Sequence, residues 1–325
     1  MSGDPASPAT AAASPATAGP MTVLKWVLDT RPLWPEAQKT QDLVTAAARA
    51  LALLSAREHE QVLRFHFVKD AKLALGSALL KRLAISRHAG VSWAEAGGWT
   101  RDARTKPIFR RPRDAAEPLL FNVSHQAGLV VLVALHRPAA RGAVAIGVDV
   151  VCPAERRDRD RHVLAAEGWP RYVAVHDDVF CPAEAARLNA LPRLLGAADD
   201  DRLLAYFYTL WCLREAYIKM TGDALLAPWL RELDLRYFAP PGEAPPEGRA
   251  LEIWFRGRRV DDVHMRLEAL LDGYVICTAV RCAHDHRPDI EAQVARPAAL
   301  LALDDILAEA EASHAGDGGA APGGG

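Results

Sequence analysis

Apolar residues in this chain gather into two kinds of run. Leu129-Val-Val-Leu-Val-Ala-Leu135 and Ala143-Val-Ala-Ile-Gly-Val-Asp-Val-Val151 are short, β-branched and apolar almost throughout. That pattern belongs to strands buried on both faces. Leu210, Trp211, Leu213, Ala216, Tyr217 and Ile218 instead leave little of a helix surface polar. A helix closed by Gly222 is therefore expected inside the fold. Ser55-Ala-Arg-Glu58 is a capping box that opens another helix. Asp70 to Ala89 reads as a third, stopped by Gly90, with Leu73, Leu80 and Leu83 on its apolar face. Phe121-Asn-Val-Ser-His125 and the two apolar strands follow one another closely and are expected as a meander. Helices are expected between Cys152 and Ala198, one begun near Pro182-Ala-Glu184. Leu251 to Phe255, Val263 to Ala269 and Tyr274 to Val280 read as strands, the last two a hairpin through Asp272-Gly273. Each half runs helices, then strands, which predicts an α+β fold.

The interruptions in these runs carry the chemistry. Asp149 is the one carboxylate in its strand, and a buried aspartate needs a cation or a charged partner. The alternative is an aspartate capping the turn after the strand. Gly147, on the same strand, marks a bulge or a close backbone approach. Residues four apart share a helix face, so Trp211, Glu215 and Lys219 form one stripe with Arg214 beside it. Glu215 and Lys219 in that order are also a common surface pair, worth only about 0.2–0.5 kcal/mol. The apolar residues around them argue for burial and hence for a partner or a metal. Ser124, His125 and Gln126 end the first strand of the expected meander, which brings them towards Asp149. A structural imidazole is the plainer reading of His125. A Ser-His acyl-transfer dyad is disfavoured, because neighbours on a strand point to opposite faces and no G-x-S-x-G elbow occurs. Carboxylates suit a hard cation, and the bases suit phosphate. The three segments together describe a site for a metal and a polyphosphate.

Five motifs in order resemble the 4′-phosphopantetheinyl transferases of the larger, monomeric, surfactin-synthetase-activating type. They are Arg64-Phe with Asp70-Ala-Lys72, Lys106-Pro107, Asn122-Val-Ser-His125, Ile146-Gly-Val-Asp149, and Trp211-x-x-Arg-Glu-Ala-Tyr-Ile-Lys219-x-x-Gly222. They span roughly residues 60 to 225. The resemblance implies two pseudo-symmetric lobes, each with helices packed on a mainly antiparallel sheet, and the ligand between them. It implies transfer of the phosphopantetheine arm of coenzyme A to a carrier-protein serine, release of adenosine 3′,5′-bisphosphate, and use of Mg²⁺. Asp149 and Glu215 match the metal-binding carboxylates. His125 and Lys219 match phosphate contacts, and these four are the expected catalytic residues. Arg64, Arg101, Arg104, Lys106, Pro107 and Ser124 lie where the family binds coenzyme A. Arg214 stands where many members have lysine and is expected to bind phosphate too. Val151 replaces a third carboxylate found in some bacterial members. The Ser-His-Gln sequence is that of the human-like branch, and Gln126 is expected to help complete the metal shell. The expected partners are apo acyl or peptidyl carrier domains of fatty-acid, polyketide or nonribosomal-peptide synthases, or of aminoadipate reductase. Another Mg²⁺-dependent phosphoryl-transfer enzyme is the alternative, without a P-loop or kinase signature to support it. A catalytically inactive coenzyme A- or carrier-binding adaptor is a further one.

Composition bounds this picture. With 325 residues, half of them apolar, the chain can build a large core in one or two domains. A net charge of −2 argues against general nucleic-acid binding. Five cysteines without a C-x-x-C pair favour a reducing compartment, hence the cytoplasm. Cys282-Ala-His-Asp-His286 lacks the second ligand cluster of a zinc site and reads as a polar strand end. No apolar run reaches the roughly 20 residues needed to span a membrane. Residues 1–20, rich in Ala, Pro, Ser and Thr, are expected to be a disordered tail. Residues 21–148 and 149–290 are expected as the two lobes, and 291–325 as an extension whose Gly/Ala-rich end, from about Ala312, is unstructured.

Overall fold

The wholly apolar strand at 129–135 is central to the first sheet. The protein is represented by a computed structural model that describes residues 20–138, 144–196, 199–223 and 227–317. The expected tails at 1–19 and 318–325, and most of the turn after His136, lie outside the described residues. The strands among the described residues are β1 (Thr22–Asp29), β2 (Thr100–Arg101), β3 (Pro107–Ile108), β4 (Leu119–Gln126), β5 (Leu129–His136), β6 (Ala145–Val151), β7 (Leu233–Arg236), β8 (Glu252–Phe255), β9 (Arg258–Arg259), β10 (Val263–Leu270), β11 (Tyr274–Arg281) and β12 (Ala299–Leu300). The first sheet has the order β12-β1-β5-β4-β3-β2, the second β10-β11-β6 and the third β7-β8-β9. All pairs are antiparallel except β12 with β1.

Strand β5 is apolar on both faces because each face meets a different core. Val130, Leu132 and Ala134 pack under the Val68–Ala89 helix. Leu129, Val131, Val133 and Leu135 meet Ile146, Val148 and Val150 of β6 and Ile276 of β11. The opposite face of the second sheet, through Val151, Cys277 and Ala279, packs on the Asp200–Thr221 helix. The layers therefore run helix, sheet, sheet, helix. Both long helices have 22 residues. Both end at a glycine in the left-handed region, Gly90 at φ 61° and Gly222 at φ 80°, where a side chain would be strained.

Two sequence expectations need correction. β4, β5 and β6 are not one meander. The second neighbour of β5 is β1, and β6 leaves for the second sheet, so a lobe boundary at 148/149 would cut through a strand. The extension beyond 290 packs back onto the first lobe. β12 pairs with β1, and Ile306, Leu307 and Ala310 of the Leu303–Asp317 helix join the first core. That helix also continues past Ala312, where loss of structure was expected.

Strand β6 is an edge strand, yet its outer edge is covered. The backbone N–H groups of Val148, Val150 and Cys152 donate to the side-chain oxygens of Asn122, Ser124 and Gln126 at 3.3, 3.4 and 3.2 Å. Alternate residues of β4 thus satisfy alternate donors of β6. On its other side β6 lies directly against the Asp200–Thr221 helix. A Cβ on Gly147 would sit 2.3 Å from the Ala216 carbonyl oxygen and 2.4 Å from the Met220 nitrogen. Those are backbone atoms and cannot swing aside. Gly147→Ala is therefore expected to cost about 2–4 kcal/mol of stability in denaturant unfolding. A loss below roughly 1 kcal/mol would show that the helix is not seated on the strand.

Candidate active site

The glycine contact fixes what lies next to it on both elements. Asp149 is two residues past Gly147 on the same strand face, and Glu215 and Lys219 flank the helix residues that Gly147 meets. Asp149 is 5% exposed and accepts hydrogen bonds from Ser124 Oγ at 2.8 Å and Lys219 Nζ at 2.6 Å. Lys219 also donates to Ser124 Oγ at 2.8 Å. Carboxylate, hydroxyl and ammonium thus close a three-membered cluster drawn from β6, β4 and the helix. Glu215, one turn before Lys219, makes no hydrogen bond or ion pair among the described residues. Burial pushes its pKa up and the negative charge of Asp149 adds to that, while Lys219 opposes both.

His125 lies on the other face of β4 from Ser124, so it joins a different wall of the site. It lines a cavity of about 250 Å³ with Lys81, Trp99, Arg101, Arg104, Lys106, Pro107 and Lys219. His125 is exposed to the groove, yet the protein packed around its ring lowers its pKa first, and the ammonium groups of Lys219 and Lys81 lower it further. In the free groove the imidazole is neutral near pH 7. The loop that carries Lys106 is tied to the end of the helix. Lys106 Nζ donates to Met220 O at 2.7 Å, and Arg104 Nη1 donates to Thr221 O at 3.3 Å. Both cations thereby sit where the helix C-terminus is negative. Burial pulls the Lys106 pKa down. Arg101 donates to Thr105 O at 2.6 Å and closes the same loop. A second cavity, of about 430 Å³, continues the groove past Lys81, Trp99 and His125 to Arg57, Arg64 and Phe65.

Most of the expected site residues therefore line one groove or its carboxylate end. Two do not. Arg214 is fully buried and pairs with Glu184, and it also donates to Leu230 O and to Leu233 O, the latter at 3.0 Å. It is one residue from Glu215, but a helix turns about 100° per residue, so it points into the second lobe rather than the groove. The expected phosphate contact is corrected to a structural ion pair. Gln126 is the other correction. Its amide oxygen accepts from Cys152 N–H and its amide nitrogen donates to Glu155 at 2.8 Å. The oxygen a cation would need is committed to the edge of β6. Val151 is buried in the second core, as its side chain requires. Among the described residues, the cluster with metal-like spacing is Cys181, Glu184 and Asp234. Its carboxylates are taken by Arg214 and Arg187, which leaves no place for an ion.

Sequence reasoning did not find Lys81 or Trp99. The available signal was a lysine within the apolar run Ala78-Leu-Leu-Lys-Arg-Leu83. Its neighbour Arg82 is spent on a buried pair with Glu58, which separates the two roles only once the fold is known.

Residues 41–137 match the family model described as 4′-phosphopantetheinyl transferase, N-terminal, and residues 145–279 match that of the 4′-phosphopantetheinyl transferase superfamily. The chain is 53% identical over 260 residues to 4′-phosphopantetheinyl transferase 1 of Fusarium mangiferae, covering 80% of this chain and 87% of that protein. It is 32% identical over 312 residues to 4′-phosphopantetheinyl transferase A of Aspergillus fumigatus, covering 81% and 84%. The human L-aminoadipate-semialdehyde dehydrogenase-phosphopantetheinyl transferase is 24% identical over 178 residues, with 54% of this chain and 50% of that protein covered.

The reassignment of Arg214 can be tested by stability. Arg214→Met leaves Glu184 buried without its counter-ion, and unfolding free energy is expected to fall by about 3–5 kcal/mol. Unchanged stability together with a large loss of coenzyme A affinity would return Arg214 to the ligand.

Proposed function

The chain belongs to the 4′-phosphopantetheinyl transferase superfamily, whose reaction moves the phosphopantetheine arm of coenzyme A to carrier proteins, and we propose that Asp149 and Glu215 carry that reaction here. The enzyme transfers the arm to a serine of an apo carrier protein and releases adenosine 3′,5′-bisphosphate. The observation that carries the assignment is a pair of carboxylates from different elements at the head of a cationic groove. Asp149 accepts from Ser124 and Lys219 on Oδ1 alone, which leaves Oδ2 for a cation, whereas both oxygens of Glu184 and of Asp234 are bonded. Glu215 is half-buried with no partner among the described residues, as a carboxylate awaiting a cation would be. This donor set fits Mg²⁺, which takes few carboxylates and completes its shell with phosphate and water. When bound, the ion neutralises charge on the pyrophosphate and its leaving group.

The protein's own groups do the rest. Lys219 and Lys106 hold the pyrophosphate, and neutral His125 donates a hydrogen bond to it. The carrier serine oxygen forms a bond to the β-phosphorus. The bond from that phosphorus to the bridging oxygen breaks, and adenosine 3′,5′-bisphosphate leaves with the electron pair. Glu215, made more basic by burial, takes the serine proton.

In-line attack sets the direction of approach. The leaving group occupies the groove of Lys106 and His125, so the serine enters from the opposite side. On that side we place a cavity of about 390 Å³, lined by Gln126, Val151 and Trp211 of the same three elements together with Tyr172, Phe207, Arg156, Arg159, Asp160 and Glu167. Its aromatic side chains and the exposed guanidinium groups of Arg156 and Arg159 suit a carrier segment of mixed apolar and acidic character. Carrier domains of the fatty-acid, polyketide, nonribosomal-peptide and aminoadipate reductase types are the partners this reading expects. All five cysteines are buried and free, which supports a cytoplasmic enzyme. No helix among the described residues is long and apolar enough to cross a membrane.

The test is to incubate the protein with coenzyme A, Mg²⁺ and an apo carrier domain, then weigh the carrier. A gain of one phosphopantetheine is expected. Glu215→Gln should lower kcat/KM by about 100- to 1,000-fold with the unfolding curve unchanged. Near-normal turnover by Glu215→Gln at saturating Mg²⁺ would remove Glu215 from the mechanism.

A further inference from the structure

Of the positive charges in the groove that this mechanism leaves unused, Arg57, Arg64, Arg101 and Arg104 are exposed and Lys81 is partly buried. Lys81, on the Val68–Ala89 helix, holds its ammonium 3.7 Å from the centre of the Trp99 ring. It makes no hydrogen bond or ion pair among the described residues. Glu58 attracts it only at longer range, because that carboxylate is bonded to Arg82 at 3.0 Å and to Ser55 at 2.7 Å. Arg101 stands on the same side and repels it. Burial, and then Arg101, pull the Lys81 pKa down to about 8. An aromatic face offsets part of that burden, but a ring is no substitute for an anion. A partly buried ammonium with a guanidinium beside it is therefore arranged for a negative ligand rather than for stability.

Its place in the groove says which negative group. Lys81, Trp99, Arg101 and His125 line both cavities, so Lys81 stands where the two meet. His125 feels the charge of both Lys219 and Lys81. Lys219, bonded to Asp149, lines only the first cavity, whereas Lys81 and Arg101 also line the second, so these two cations reach the part of the groove beyond the Asp149 end. Coenzyme A carries its charge in two places, the pyrophosphate and the ribose 3′-phosphate. With the pyrophosphate at the Lys219 end, the next anion along the ligand meets the next cation along the groove. We propose that Lys81, seated on Trp99, reads the ribose 3′-phosphate and sets the discrimination of this enzyme between coenzyme A and 3′-dephospho-coenzyme A. Trp99 positions the ammonium by stacking, and Arg101 supports the same phosphate. The inference rests on the reading of the groove as the coenzyme A site.

The experiment compares the wild type with Lys81→Met, which keeps an apolar stem against Trp99, and with Lys81→Arg, which keeps the charge. Steady-state transfer is measured with coenzyme A and with 3′-dephospho-coenzyme A. Calorimetry follows the binding of adenosine 3′,5′-bisphosphate and of adenosine 5′-monophosphate without any turnover. Lys81→Met is expected to raise the coenzyme A KM by roughly 10- to 100-fold, the size of one charge-assisted hydrogen bond, while kcat and the dephospho-coenzyme A KM stay as in the wild type. Affinity for the bisphosphate should fall by the same factor, affinity for the monophosphate should not change, and Lys81→Arg should recover most of the loss. Equal losses with both forms of the substrate would place Lys81 at the pyrophosphate and overturn the proposal. No loss with either would do the same. A wild type that modifies no carrier with either form would refute the functional reading instead, and the two calorimetric titrations would still decide whether Lys81 reads a 3′-phosphate.

Discussion

Strand β6 has no free side, and the active site depends on that. β11 pairs with one edge, three side chains of β4 cover the other, and a helix lies on its face at Gly147. A buried backbone donor left without an acceptor costs about 1–3 kcal/mol, so Asn122, Ser124 and Gln126 are constrained by the strand they cover as much as by any ligand. Because all three elements meet on one strand, the oxygen of Ser124, the carboxylate of Asp149 and the ammonium of Lys219 come within hydrogen-bond distance without help from a loop. The two sheets are thereby joined at the proposed site. The late return of the chain to β1 reinforces the join, since Lys25 on β1 reaches both Glu268 of β10, at 2.8 Å, and the Val294 carbonyl, at 2.9 Å.

Charge inside the protein divides into two populations. Arg82 with Glu58, Arg214 with Glu184 and Lys25 with Glu268 are buried pairs whose hydrogen bonds are made. Breaking such a pair unfolds protein but does not alter chemistry. Glu215 and Lys81 are partly buried and unpaired among the described residues. On the function proposed above, the partners they lack are ligands: a cation for the first and a phosphate for the second. Asp149 stands between these populations, already neutralised by Lys219 yet at the head of the groove.

Much of this was legible in the sequence where a single residue decides a local geometry. Gly90 and Gly222 end their helices in the left-handed conformation that only their type adopts freely, and Ser55 and Glu58 form the capping box their spacing announces. Asp149 and Glu215 stood out because a carboxylate in an apolar element needs a reason. What stayed hidden depended on distant partners. Arg214 is adjacent to Glu215 and looked like a ligand residue until Glu184, thirty positions earlier, was found against it. Gln126 looked available until the edge of β6 claimed its oxygen. The change of sheet between β5 and β6 has no local signal, because both strands are equally apolar. Thr22–Asp29, whose pairing organises the first sheet, was not singled out as a strand at all.

The central claim is that Asp149 and Glu215 hold a divalent ion that the pyrophosphate of coenzyme A completes. Calorimetric titration of Mg²⁺ into the protein, alone and with saturating coenzyme A, tests it most directly. Two carboxylates without a third at Val151 should bind Mg²⁺ weakly alone and far more tightly with coenzyme A, and the Asp149→Ala, Glu215→Ala double variant should lose the tight phase. Equally tight binding with and without coenzyme A, or a tight phase that survives in the double variant, would contradict the account.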